Sequence, residues 1–189
     1  LGVAFAPGAV TGATSNDKGV GGDSAGSGSG YDVTVGTTGL MDGLNVFAGL
    51  SQMQQTDEGT AYTGDRSQTV IGATYAIGSV TLGYQYSHDN HNASSGTTTT
   101  QYYENNAFGV SFAVNDDLTL SFGEHRSERG VVQSSGVAPT ELRAQSLQLS
   151  YSMGGASIKF AESQVDNASY TSGSANDNDG RTIALTLAF

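Results

Sequence analysis

From Arg181 to the last residue, large apolar side chains fall on every second position: Ile183, Leu185, Leu187 and Phe189. Thr182, Ala184, Thr186 and Ala188 lie between them and are small or weakly polar. Successive side chains of an extended strand point to opposite faces. This spacing therefore predicts a strand with one greasy face and one thin, mildly polar face. One such strand constrains little, but the rest of the chain repeats it.

Tyr31, Val33 and Val35 alternate in the same way, as do Leu44, Val46, Ala48 and Leu50, with Phe47 pointing against the rule. Ile71, Ala73, Tyr75 and Ile77 follow, and only Gly78-Ser79 separates them from Val80, Leu82, Tyr84 and Tyr86. A two-residue Gly-containing connection between alternating runs predicts a hairpin. Further on come Phe108, Val110, Phe112 and Val114, then Leu118 to Phe122, Leu147 to Met153, and Ala156 to Phe160. The pattern predicts strands near 1–6, 31–37, 44–53, 66–77, 80–88, 102–114, 118–127, 142–153, 156–165 and 181–189. Long polar loops at 7–30, 57–65, 89–101, 128–141 and 166–180 alternate with short turns at 38–43, 78–79, 115–117 and 154–155. No helical period of useful length occurs. The expectation is one all-β domain over residues 1–189, an antiparallel up-and-down meander.

A soluble sandwich also alternates, so the faces must decide the solvent. Two features favour a transmembrane β-barrel. The thin face is poor in charge at mid-strand (Thr34, Gly49, Gly72, Thr74, Gly83, Ser111, Ser121, Ser150), where a water-exposed sheet carries Lys and Glu to blunt edge pairing. Aromatic side chains gather toward strand ends at Tyr31, Tyr75, Tyr84, Tyr86, Tyr151, Phe160 and Phe189, as membrane-interface girdles require. No apolar run is long enough for a membrane helix, which barrel strands do not need.

With 7 Lys+Arg against 18 Asp+Glu and a net charge of -11, nucleic acid is an unsuitable partner, because its phosphates would be repelled. The chain has no Cys, which suits an oxidising exterior compartment. It opens on Leu1 without a Met or a basic leader, as a processed product or a fragment would.

The Phe-terminated last strand resembles the C-terminal signature of bacterial outer-membrane barrels. Together with Asp42-Gly-Leu-Asn-Val-Phe-Ala-Gly49, Gly72-Ala-Thr-Tyr-Ala-Ile-Gly-Ser-Val-Thr-Leu-Gly-Tyr-Gln-Tyr86 and Ala107-Phe-Gly-Val-Ser-Phe-Ala-Val114, it makes the chain similar to the C-terminal part of an alphaproteobacterial general diffusion porin. The resemblance implies a sixteen-stranded homotrimeric barrel in the outer membrane of a Gram-negative bacterium. Such a barrel stands in outer-membrane lipid and lipopolysaccharide and passes small hydrophilic solutes and ions by diffusion. Strands are then missing at the start, and with them the family's constriction loop, so no constriction residue carries over. The alternative is a complete ten-stranded barrel acting through its loops, as an adhesin or a surface hydrolase. Small barrels fill their lumen with side chains, and a face of Gly, Ala, Ser and Thr favours the wider one.

Inward parity belongs to Asp32, Arg66, Gln85, His125 and Lys159, the candidate pore-lining residues. Arg66 and His125 sit near strand ends, where simple contact with solvent explains them equally well. Glu124, Arg126, Arg143 and Glu162 have outward parity, which points to the extracellular rim or a subunit contact. Asn176-Asp-Asn-Asp-Gly180 superficially resembles a calcium loop without its closing Glu, so no cofactor is expected beyond a divalent cation such as calcium bridging extracellular loops. His88 and His91 at i, i+3 are the only metal-like spacing. Asp89, His88 and His125 are the residues a surface hydrolase would have to bring together. No catalytic motif is present, and the acidic loops predict a mild preference for cations at the mouth.

Overall fold

The computed structural model describes residues 1–7, 29–55, 62–95, 99–132 and 139–187. Its strands are β1 (Gly2–Ala6), β2 (Gly30–Thr37), β3 (Leu44–Met53), β4 (Arg66–Ile77) and β5 (Val80–Asn90), followed by β6 (Thr100–Ala113), β7 (Leu118–Val131), β8 (Thr140–Met153), β9 (Ala156–Asp166) and β10 (Asn178–Leu187). They form one ten-stranded sheet in sequence order, every pairing antiparallel. This is the expected meander. Among the described residues no pairing joins β10 back to β1, so the ten strands do not close on themselves as a small complete barrel would.

The short connections are built by local chemistry. Gly78 and Gly154 take positive φ of 58° and 57° in the two-residue turns β4–β5 and β8–β9, a conformation that costs glycine nothing. In the β6–β7 turn, Asn115 Oδ1 accepts from Asp117 N at 2.9 Å and Leu118 N at 2.8 Å, so the side chain mimics a turn carbonyl. Val114 belongs to this turn rather than to β6, and its N–H donates to Leu118 O at 2.8 Å.

Several strands run further toward the long connections than the alternation predicts. β6 begins at Thr100, β7 reaches Val131, β8 begins at Thr140 and β10 at Asn178. Most of the added residues are polar or glycine on both faces, which hides the period, but the backbone ladder is indifferent to side-chain polarity. Cross-strand polar contacts also hold these ends, as where Tyr102 Oη donates to Glu128 Oε1 at 2.8 Å. Residues 62–65 are likewise knitted to the β5–β6 connection: Thr63 N donates to Asn92 O at 2.8 Å, and Gln55 Nε2 donates to Gly64 O and His91 O. Ala188 and Phe189, the expected end of the last strand, lie outside the described residues.

The register fixes two faces. One row runs Val35, Ala48, Ile71 and Tyr86; another runs Val80, Phe112, Leu120, Leu149, Phe160 and Ile183. The opposite face carries Gly, Ala, Ser and Thr. Neither face covers a core. Among the described residues only Gly30, Gly72, Ala93, Ser127, Gly130 and Val132 are buried, while Ile183 is 75% and Leu185 62% exposed. An apolar surface of this extent belongs against lipid or another chain, not water.

Phe47 does point to the thin face, and Gly72 explains how it fits. The ring lies on Gly72 of the neighbouring strand, where a Cβ would meet the ring and also Tyr84 O at 2.9 Å. Gly72→Ala is expected to lower stability by about 1–3 kcal/mol through this overpacking. Adding Phe47→Ala should restore only part, because the Tyr84 carbonyl remains. The temperature of heat-induced mobility shift in detergent reads both effects; an unchanged Gly72→Ala midpoint would refute the packing.

Candidate functional site

The thin face is the candidate site. Register places Asp32, Arg66, Gln85, His125 and Lys159 all on it. They do not form one cluster. Gln85 lies opposite Ala107, which lies opposite His125, so these two share a ladder row across three strands. Lys159 is exposed opposite Ser150 and Ala184, toward the short turns, with neutral neighbours on both adjoining strands.

The long-connection end is different. A single row crosses Asp32, Ser51, Gln68, Asp89, Tyr103 and Arg129, from β2 to β7. Arg66 forks onto Asp89 from the adjacent strand, with Nε to Oδ1 at 2.9 Å and an Nη to Oδ2 at 2.5 Å. This bidentate geometry is the strong form of the ion pair. His91 Nε2 stands 3.4 Å from the same carboxylate, and its ring meets Tyr103 edge-on at 5.7 Å. Arg66 is therefore half of a fixed pair rather than a solvated strand-end charge. Below this row an open depression of about 410 Å³ is lined by Asp32, Thr34, Gly49, Ser51, Gln68, Gln85, Ser87 and Asp89 among others. Its lining mixes carboxylates, amides and hydroxyls with Leu50, Val70 and His88.

Parity reading missed Tyr103 and Arg129. Both continue the inward set begun by Ala107 and His125, and counting on by twos finds them once the strands are allowed to run longer. The hydrolase grouping does not form. His88 stacks on Tyr102 at 5.6 Å, and both belong to the apolar face, whereas Asp89 and His125 belong to the thin one. For the same reason His88 and His91 do not converge. Among the described residues no three metal-ligating side chains come together, and Asn178–Gly180 are part of β10.

On the apolar face, Tyr31, Tyr75, Tyr84, Tyr86, Tyr151 and Phe160 share the side of Leu50, Ile71 and Leu149. Tyr31 and Tyr84 satisfy their hydroxyls on Gln52 Oε1 at 2.5 Å and Asn106 Oδ1 at 2.7 Å, so each ring has a greasy body and a polar anchor. Of the charged residues of outward parity, Glu124, Arg126, Arg143, Glu162 and Arg181 pair with one another. Glu124 accepts from Arg126 Nε at 2.6 Å, an Arg143 Nη at 2.6 Å and Gln145 Nε2 at 2.5 Å, and Arg181 donates to Glu162 at 2.8 Å across the β9–β10 pair.

No curated protein matches the chain. Among solved structures, the OmpF porin of Salmonella typhi, in complex with daunomycin, matches with a TM-score of 0.68 at 14% identity, over 97% of this chain and 55% of that one. This chain thus spans about half the length of that relative, and the likeness is one of fold. The Gram-negative porin family model matches residues 1–152, most of the described sheet. The two-faced sheet, the match of its fold to a porin barrel and the family match agree: the chain belongs to the Gram-negative porin family, whose members reside in the outer membrane.

Proposed function

We propose that this chain forms much of the wall of a water-filled outer-membrane channel through which small hydrophilic solutes and ions diffuse passively. One observation carries the reading: among the described residues a single hydrogen-bonded sheet presents large exposed apolar side chains on one face and mostly small or polar ones on the other, with almost nothing buried. Lipid suits the first face and water the second. Backbone groups inside a bilayer need partners, and a closed sheet is the only strand arrangement that gives them. A face of Gly, Ser and Thr leaves space for water that larger side chains would fill.

Asp32, Arg66, Gln85, His125 and Lys159 then face the aqueous path and shape its potential. Asp89 joins them, since it holds Arg66. Tyr31, Tyr75, Tyr84, Tyr86, Tyr151 and Phe160 serve as interface anchors, and the paired charges around Glu124 and Glu162 meet lipopolysaccharide headgroups beyond the hydrocarbon. Assembly as a homotrimer fits the family. The reading includes no reaction chemistry.

The complete natural protein in a planar bilayer should give stepwise openings, and a salt gradient should give a reversal potential of cation sign. A chain acting only through its loops would give no steps, and clear anion selectivity would refute the electrostatic part. Lys159→Glu should strengthen cation preference by adding a carboxylate to the water-facing wall. Asp89→Asn should weaken it by leaving the Arg66 charge uncompensated, and should cost about 1 kcal/mol of stability as a partly exposed pair is lost. Reversal potentials that do not move for either variant would remove these residues from the path.

A further inference from the structure

The first turn of the β9–β10 connection is tied back to the sheet. Asn167 leaves β9 with its N–H donating to Asp177 Oδ1 at 3.0 Å, which closes the base of the loop, and its Nδ2 donating to Glu141 O at 2.9 Å on the neighbouring β8. The short turn Ala168–Tyr170 packs on β8, and Tyr170 reaches across that strand to the thin face of β6 and β7. There its hydroxyl lies 2.7 Å from Ser127 Oγ, its ring 5.5 Å from the Tyr103 ring and 5.2 Å from the Arg129 guanidinium carbon. Ser127 donates onward to Asn105 Oδ1 at 2.5 Å, and Asn105 Nδ2 donates to Ser87 Oγ at 3.3 Å. One hydrogen-bonded chain therefore links the loop to three strands.

Two further observations mark the contact as held in place. Ser127 is 2% exposed, the only buried polar or charged side chain among the described residues, although His125 beside it on the same face is exposed. Asn167, Ser169 and Tyr170 all take left-handed φ of 55°, 58° and 57°. That conformation is uncommon for a tyrosine, and it persists only where surroundings over-determine it.

We propose that this loop is a constriction of the channel and that Tyr170 is the residue that sets it. The proposal rests on the channel reading above. A tyrosine seated on the water-facing wall adds the bulk of its ring to that wall and narrows the path near its long-loop end. Tyr170 and Arg129 then present a ring and a guanidinium to passing solutes. The solutes discriminated are uncharged sugars near the size limit, which the aromatic edge excludes by bulk.

The test uses the complete natural protein in bilayers and in liposomes swollen with sugars of increasing size. Tyr170→Ala should raise single-channel conductance and speed swelling with the larger sugars relative to the smallest. Tyr170→Phe, which keeps the ring, should stay near wild type. A folded Tyr170→Ala protein with unchanged conductance and unchanged sugar ratios overturns the proposal. Should that variant not fold, thiol labelling decides, in a background free of any other cysteine; residues 1–189 contain none. A water-soluble maleimide should label Ser127→Cys slowly and His125→Cys quickly; equal rates overturn the seated loop. A wild-type protein that never conducts refutes the channel instead, and in that case a fast-labelling Ser127→Cys refutes the loop contact as well.

Discussion

The backbone ladder between antiparallel strands is what everything else in this molecule depends on. A soluble domain of this length would bury a sizeable core and let hydrophobic packing carry its stability. Here the described residues bury almost no side chains, and cohesion comes from strand-to-strand hydrogen bonds along nine consecutive pairings. Such a ladder holds well where water cannot compete for its groups, which is the situation of a sheet in a bilayer. Among the described residues β1 and β10 each have one partner strand, so both present unpaired backbone to whatever lies beside them.

Because the ladder fixes the side-chain period at two, a single sequence serves two solvents at once. The apolar face accepts large side chains freely, since lipid adapts to them. The other face is kept small, and where it carries a ring the sheet thins beneath it, as Gly72 does under Phe47. Charges follow the same division. On the apolar-parity face the arginines Arg126, Arg143 and Arg181 are held by the carboxylates of Glu124 and Glu162. Those of the polar face are spread out, apart from the Arg66–Asp89 pair, as befits a surface that meets water and ions.

The described parts of the long connections add contacts that the strands lack. The β3–β4 and β5–β6 connections are tied together at Thr63 and Asn92, and the β9–β10 loop is seated on the wall through Tyr170. A wall of Gly, Ser and Thr has little chemistry with which to select a solute. Selectivity in such a molecule falls to the few side chains and loop segments that stand above the wall.

The sequence by itself determined the strand count, the antiparallel meander and the face on which each of Asp32, Arg66, Gln85, His125 and Lys159 stands. These follow from a period of two, a local property that survives whatever the strand pairs with. Strand ends were legible only in part, since polar residues on both faces of β7 and β8 erase the period while the hydrogen bonds continue. The sequence showed nothing of the Arg66–Asp89 fork or the Tyr170 seat. Their partners lie 23 and 43 residues apart in the chain, and which side chains meet at that separation is set by register and by the path of a loop. Tertiary structure decided those contacts, because a loop of Ser, Asn and Asp has no periodic pattern and its conformation is chosen by the wall it lands on.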